Sequence, residues 1–360
     1  MNASASAQGK RPTVKDVAEI AGVSWATVSN VLHDHPNVRA ATRARVEAAI
    51  EQLGYQPSSA GRELRGAPSR LLALAIPDIE SPYFSHLAHA IISYAESLRY
   101  TVLINVTGGR INRERLAVRA YSERSVQGTI FSPLALELDE VEALRGGFPI
   151  VILGEHLREG RIDHVAIDNV TAAQELTDHL ISTGRRRIAF MGYQPHSSAG
   201  TGDLRLQGYR QSLANAGIDL DDRFIIETDH YTHQEGEARS RQMIADGLDV
   251  DGIVCGNDLL AVGALRQFRL LGVRVPEDIA LVGFDDTPDG RYCWPSLTTI
   301  SPNKALIAKS AVDALIARID DADRPPSQIV VPHSLIVRDS SATQIRDRVA
   351  RGPSRVAETG

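Results

Sequence analysis

Residues 13–55, TVKDVAEIAGVSWATVSNVLHDHPNVRAATRARVEAAIEQLGY, constrain this chain more than any other stretch. Val14, Val17, Ala18 and Ala21 recur at the i, i+3, i+4, i+7 spacing that puts apolar side chains on one helix face. Thr13, with Asp16 three residues on, is a helix-start signal in which a hydroxyl caps a free N–H. The tight turn AGV follows. Ser24 is then placed to cap a second helix whose Val28, Val31 and Leu32 face inward. A third helix repeats the spacing at Val46, Ala49, Ile50 and Leu53, with Gly54 placed to end it. Two short helices on a glycine-containing turn, propped by a third, predict a helix-turn-helix. Its second helix turns Trp25, Ala26, Ser29, Asn30 and His33 outward, the surface such a unit lays in the DNA major groove. Periodicity alone fits a plain three-helix bundle as well.

Charge distribution bears on that choice. The net charge of −6 argues at first against nucleic acid. Residues 1–70, however, hold nine Lys/Arg against six Asp/Glu, so +3, and the remaining thirty against thirty-nine give −9. A mildly basic head on an acidic body suits DNA contact by one end only. Hydroxyls, backbone N–H groups and helix N-termini must then supply many of the phosphate contacts.

The rest of the chain changes texture. Residues 1–10, MNASASAQGK, read as a disordered tail and not a signal peptide. Pro57, Gly61, Gly66 and Pro68 mark residues 57–70 as a linker, although SSAGREL could form two helical turns with Ser58 as cap. From residue 71, strand-length apolar runs alternate with helix-length segments: LLALAIPD, TVLINVTG, GTIFSPL, PIVILGE and HVAIDN, then RRIAFMGY, FIIETD, GIVCGND and ALVGFDD. That alternation predicts βα units and parallel sheets, and two series predict two similar lobes. LTTISPN leads into a helix at about 304–319, and IVVPHSLIVRDS supplies the last strands. The 344–360 tail is polar and reads as disordered. With 43% apolar residues, 360 residues make two or three domains. No apolar run reaches membrane-spanning length. Cys255 and Cys293, far apart and outside any CxxC, fit a reducing cytoplasm without a disulfide, and apolar neighbours mark Cys255 as a core thiol.

The full strings V-x-D-V-A-x-x-A-G-V-S-x-x-T-V-S-x-V-L and T-R-x-x-V-x-x-A-x-x-x-L-G-Y-x-P are more specific than periodicity. They resemble the headpiece of the LacI/GalR family of bacterial transcription regulators, and the resemblance runs from about residue 11 to about 343. It implies an all-α helix-turn-helix headpiece at 11–57 and a hinge helix at 58–69. The core at 70–343 would hold two doubly wound parallel-sheet lobes, like the periplasmic binding proteins. Three crossings near Asp168, Pro295 and Pro326 would give a first lobe of about 70–168 and 296–326 and a second of about 169–295 and 327–343.

The resemblance also implies roles. Thr13, Ser24, Trp25, Ala26, Thr27, Ser29, Asn30 and Tyr55 would meet a near-palindromic operator. Leu64 would be the hinge leucine wedged into the minor groove, although Gly61 stands where the family usually has alanine. A small, sugar-like effector would meet Tyr83, Phe84, Asp168, Arg205, Asn257, Asp258 and Asp285, and Tyr231 is the aromatic candidate from a poorly aligned loop. Carboxylates, amides, an arginine fork and aromatic faces are the groups a saccharide needs. Ala199 stands where some members carry a second arginine, which favours a neutral sugar over a purine.

For each aspartate after a strand, the plain alternative is a helix cap or loop charge, Asp78 and Asp286 included. The His33/His35 and His230/His233 pairs lack the further ligands a metal site needs and read as solvated loop residues. No phosphate-binding glycine loop or G-x-S-x-G turn appears, and no cofactor is expected. The expected function is a homodimeric, effector-controlled repressor. A transport-type sugar-binding protein would need an export signal, and a sugar-acting enzyme would need a nucleophile or metal motif.

Overall fold

Among the described residues of the first 69, the apolar spacing closes into three helices: α1 (Val14–Ala21), α2 (Trp25–Leu32) and α3 (Ala40–Leu53). The structure is a computed structural model that describes residues 12–32, 35, 37–55, 69–122, 126–154, 161–195 and 200–342. Thr13 and Asp16 form a reciprocal capping box, with the Thr13 hydroxyl and N–H both donating to Asp16 Oδ2 at 2.7 Å. Gly22 at φ 62° and Gly54 at φ 58° end α1 and α3 in the left-handed conformation that favours glycine. Val17, Val28 and Val46 are completely buried where the three helices meet, with Ala18, Ala21, Val31 and Ala49 around them. The expected hinge, apart from Ser69, lies outside the described residues, as do Leu64, His33, Ala199 and both tails.

Residues from 70 onward form a second unit. Its first sheet takes β1 (Leu71–Ile76), β2 (Thr101–Val106), β3 (Val126–Phe131), β4 (Ile150–Leu153) and β5 (Asp163–Ala166), alternating with α4 (Pro82–Ser97), α5 (Ile111–Ser122) and α6 (Leu138–Arg145). The chain then runs through α7 (Asn169–Ser182), β6 (Ile188–Tyr193), α8 (Thr201–Asn215), β7 (Ile225–Glu227), α9 (His233–Ala245), β8 (Gly252–Cys255), α10 (Asp258–Leu271), β9 (Ala280–Phe284) and α11 (Pro288–Tyr292). It ends with β10 (Thr298–Pro302), α12 (Lys304–Asp320), β11 (Gln328–Val330) and β12 (His333–Ile336).

The two six-stranded sheets have the orders β11-β5-β4-β3-β1-β2 and β12-β10-β9-β8-β6-β7. All pairings are parallel except β10 with β12. Helices cover the sheets, so central strands are apolar on both faces. Leu72, Leu74 and Ile76 of β1 are buried, as are Ala280, Val282 and Phe284 of β9. Cys255 is buried too, and both cysteines are free thiols.

The lobe boundaries differ from expectation at two crossings. β10 was assigned to the first lobe but pairs with β9 in the second sheet, Thr298 opposite Val282 and Ile300 opposite Phe284. β11 was assigned to the second lobe but pairs with β5 in the first, Ile329 opposite Val165. The β-branched run TTI continues the second sheet past Pro295, and the chain crosses only where Asn303 caps α12. Beyond α12, the buried Asp163 carboxylate accepts from the Ser327 N–H at 2.8 Å and hydroxyl at 2.7 Å, and from Arg318 at 2.8 Å. Those bonds hold β11 against β5. The last crossing therefore falls at Val331 and Pro332.

Candidate functional site

The recognition face of the headpiece is built by its caps. Ser24 Oγ accepts from the Thr27 N–H at 3.2 Å and lies 2.9 Å from the Thr27 hydroxyl, so both residues hold the start of α2. The first turn of α2 carries no acid, which leaves its positive end open to phosphate. Trp25 is 62% exposed, Ala26 and Asn30 are exposed, and Ser29 is half-buried. Arg43, which the sequence reading passed over, reaches back from α3 and donates to the carbonyls of Val31 at 3.4 Å and His35 at 3.3 Å. Those bonds satisfy carbonyls at and beyond the end of α2. Tyr55 departs from expectation. It is only 7% exposed and packs in the headpiece core, so its ring is a packing element before it is a DNA contact.

In doubly wound sheets a crevice opens at the carboxyl ends of the strands where the order reverses. Here the order reverses between the neighbours β1 and β3 in one sheet and between β6 and β8 in the other. The residues just past those ends, Asp78, Ser132, Gln194 and Asn257, line one cleft of about 1170 Å³ between the lobes. Of the expected effector residues, Tyr83, Phe84, Arg205, Tyr231, Asn257 and Asp285 also line it. Tyr83 and Phe84 meet edge to face, their ring centroids 5.1 Å apart.

Arg205, 6% exposed, is locked in place. Its Nε donates to Asn169 Oδ1 at 2.8 Å, its Nη1 donates to the Gly256 carbonyl, and its guanidinium carbon sits 3.5 Å from the Phe284 ring centroid. Tyr231 donates its hydroxyl to the Gly192 carbonyl at 2.7 Å. A Cβ on Gly256 would come within 2.8 Å of that hydroxyl, which explains the glycine of CGND. Asn257 caps α10 by accepting from the Leu260 N–H at 3.0 Å. Asp285 and Asp286 both adopt positive φ, at 107° and 47°, a costly conformation for residues with a Cβ. Lys304 Nζ bonds to the Asp285 carbonyl and helps hold that turn.

Three carboxylates lie elsewhere. Asp168 caps α7, accepting from the Thr171 N–H at 3.0 Å and hydroxyl at 2.6 Å. Burial opposes its charge, yet those bonds hold its pKa below the ordinary value. It does not line the cleft. Asp258 is wholly buried behind the cleft wall, where it accepts from Thr299 Oγ1 at 2.6 Å and from the Thr287 N–H at 2.7 Å. Burial first, and then the nearby Asp285 charge, push its pKa up to about 7. Asp286 pairs with Arg338 at 2.6 Å and is likewise structural. For these three the plain alternative of cap or support is what the structure shows.

Sequence reading missed other cleft residues. Ile111 and Leu134 line the first-lobe side, and Asp229, His230 and Arg239 the second. The strand-end rule points to the segments after β2, β3 and β7, where Ile111 opens α5 and Arg239 lies on α9, but of these residues the sequence singles out only His230, as a solvated loop residue. His230 is thus a cleft residue as well as a loop residue. Among the described residues, no three His, Cys, Asp or Glu side chains gather as a metal site, and no helix is long and apolar enough to cross a membrane.

Comparison with known proteins finds matches in both units of the chain. Residues 13–58 match the model for bacterial regulatory proteins of the lacI family, and residues 177–341 match that for a periplasmic binding protein-like domain. The chain is 30% identical over 330 residues to the HTH-type transcriptional repressor PurR of Photobacterium profundum, covering 91% of this chain and 98% of the relative. It is 33% identical over 344 residues to the HTH-type transcriptional regulator CelR of Thermobifida fusca, covering 92% and 98%. Among solved structures, the lac repressor dimer bound to operator and the anti-inducer ONPF matches with a TM-score of 0.83 at 28% identity, covering 93% of this chain and all of that one. A CelR–cellobiose complex matches with a TM-score of 0.68 at 29% identity, covering 92% and 100%. With a capped helix-turn-helix at one end and a two-lobed, clefted α/β body, the chain belongs to the lacI family of bacterial regulatory proteins and is a DNA-binding transcriptional regulator.

Proposed function

We propose that this regulator is a homodimeric repressor whose operator affinity is set by a sugar-like effector held between the core lobes. The observation that carries the reading is that side chains from both lobes line one cleft. Only a ligand that touches both lobes differently in two arrangements can shift the balance between them. Arg205, Asn257, Asp285 and Tyr231 would hold its hydroxyls from one side, with Tyr83 and Phe84 against it on the other. Asp168 and Asp258 shape the site without touching the ligand. The protein acts by binding and has no turnover step in this reading.

On DNA, Trp25, Ala26, Ser29 and Asn30 would face base edges, and Asn30 is suited to adenine. Thr13, Ser24 and Thr27 would meet phosphates through hydroxyls and amides at helix starts. Tyr55 would contribute its hydroxyl at most, and Leu64 would wedge into the minor groove. Two exposed apolar surfaces support the homodimer. The edge strand β2 shows Leu103 and Ile104 to solvent, and Tyr292 and Trp294 stand out at the end of α11. A self-complementary patch pairs by a two-fold axis and so demands a near-palindromic operator.

The test is operator affinity with and without saccharides, beside calorimetry on the same protein. Cellobiose, the ligand named in the complex of the CelR relative, is the first probe. A saccharide that binds and changes operator affinity supports the reading. Binding that leaves operator affinity unchanged would remove the coupling, and turnover of the sugar would make the protein an enzyme.

A further inference from the structure

The effector cleft has two walls of different chemistry. The second lobe presents Thr201, Asp229, Tyr231, Asn257 and Asp285 along with Arg205. The first lobe presents Phe84, Leu87, Ile111, Leu134 and Ala135 beside Ser81, Tyr83 and Ser132, and among the described residues Asp78 is its only charged side chain in the cleft. Ile111 and Leu134 are 38% and 40% exposed, large apolar side chains left open to water inside a binding cleft.

This apolar wall is built rather than incidental. Glu114, wholly buried on α5, accepts from the backbone N–H groups of Leu134 at 2.9 Å, Ala135 at 3.1 Å and Leu136 at 2.8 Å. A buried carboxylate with three donors is a strong anchor, and it fixes the loop after β3 in one shape. Leu134 packs onto Gly109, where a Cβ would lie 3.2 Å from Leu134 Cδ1 and where φ is 61°. Glu114 thus fixes the Leu134 backbone while Gly109 leaves room for its side chain.

A free sugar gains little from the Leu134 and Ile111 part of this wall. Its hydroxyls, pressed against Leu134 and Ile111, would lose water without gaining partners. Anionic ligands fit no better. The lining carboxylates Asp78, Glu227, Asp229 and Asp285 outnumber the guanidiniums of Arg205 and Arg239 by four to two. Arg205 is bound to Asn169 and Gly256, and Arg239 is paired with Glu235 at 3.1 Å. A cleft of about 1170 Å³ also exceeds what one sugar ring fills.

We infer that the effector is a neutral glycoside carrying an apolar, aryl-type aglycone. Its sugar faces the polar wall of the second lobe, and its aglycone lies on Ile111 and Leu134 of the first. The inference rests on the reading of the cleft as the effector site. It makes the ligand itself the bridge between the lobes, with one end recognised by each.

The experiment is calorimetry on the full-length protein with paired methyl and phenyl glycosides of glucose, galactose, mannose and xylose, both anomers, with the corresponding sugar phosphates alongside. For the sugar recognised, the phenyl glycoside should bind about ten- to a hundredfold tighter than the methyl glycoside. Leu134→Ser and Ile111→Ser should each bring that ratio toward one. Equal phenyl and methyl affinities in the wild type would overturn the aglycone and leave the effector cleft standing. A ratio that survives both substitutions would overturn its assignment to this wall, and tighter binding of a sugar phosphate would overturn neutrality. Failure of every saccharide to bind would overturn both the inference and the effector reading beneath it.

Discussion

Arg205 Nε and Asn169 Oδ1 are 2.8 Å apart, and both groups are buried. Asn169 opens α7, the first element after the first interlobe crossing, and Arg205 lies on α8. The pair joins the base of the second lobe to its ligand wall. Arg205→Ala should abolish the effector response and lower stability by about 2–3 kcal/mol, because Asn169 and the Gly256 carbonyl lose a charged partner. Calorimetry with a bound glycoside and a thermal melt check the two halves. Unchanged ligand affinity in a folded variant would move the effector elsewhere.

Asp258 gives the core an unusual dependence on pH. Its folded pKa of about 7 lies above its ordinary 3.8, so between those values the folded state binds the extra proton. Stability from this group is present at low pH and falls as pH rises toward 7, with a ceiling on the order of 4 kcal/mol. Asp168 and Asp286 act oppositely, since their lowered pKa values contribute stability that is lost on acidification. Asp258→Asn should flatten the decline between pH 5 and 7 in urea melts. A slope identical to wild type would mean Asp258 stays ionised.

Trp25 is exposed at the start of the recognition helix and is not part of the headpiece core. Trp25→Ala should leave the melting temperature within a degree or two of wild type. It should weaken specific operator binding about tenfold or more while non-specific, salt-driven binding persists. Fluorescence anisotropy with operator and random duplexes separates the two. An equal loss on both duplexes would make Trp25 a general backbone contact.

The exposed aromatics beside α11 test the assembly. Trp294 is 76% exposed, a costly state for so large an apolar surface in a monomer. Trp294→Asp combined with Tyr292→Asp should shift sedimentation from dimer to monomer at micromolar concentration and weaken operator binding through lost two-fold pairing. A double variant that remains dimeric would place the interface on another face.

Much of this protein was determined by sequence alone. The 3.6-residue spacing of Val14, Val17, Ala18 and Ala21, with Thr13 and Asp16 before them, specified the first helix, because caps and amphipathic faces are local. Nine apolar runs between residues 71 and 284 marked β1 to β9, since parallel strands buried on both faces need continuous hydrophobicity. Strand-end position likewise brought Asn257 and Asp285 to the cleft, and the family resemblance pointed to Arg205 on α8.

What tertiary structure decided was non-local. Which sheet takes β10 or β11 depends on hydrogen bonds between distant segments, such as Asp163 with Ser327, and both segments read as strands in either sheet. Whether an aspartate after a strand serves ligand or scaffold depends on what its side chain meets. Asp168 met its own helix and Asp258 met Thr287 and Thr299, while Asp285, in a left-handed turn, was carried into the cleft. Leu134 and Ile111 drew no attention in sequence because isolated apolar residues carry no pattern. Only the fold set them opposite a polar wall, with Glu114 holding the loop from behind.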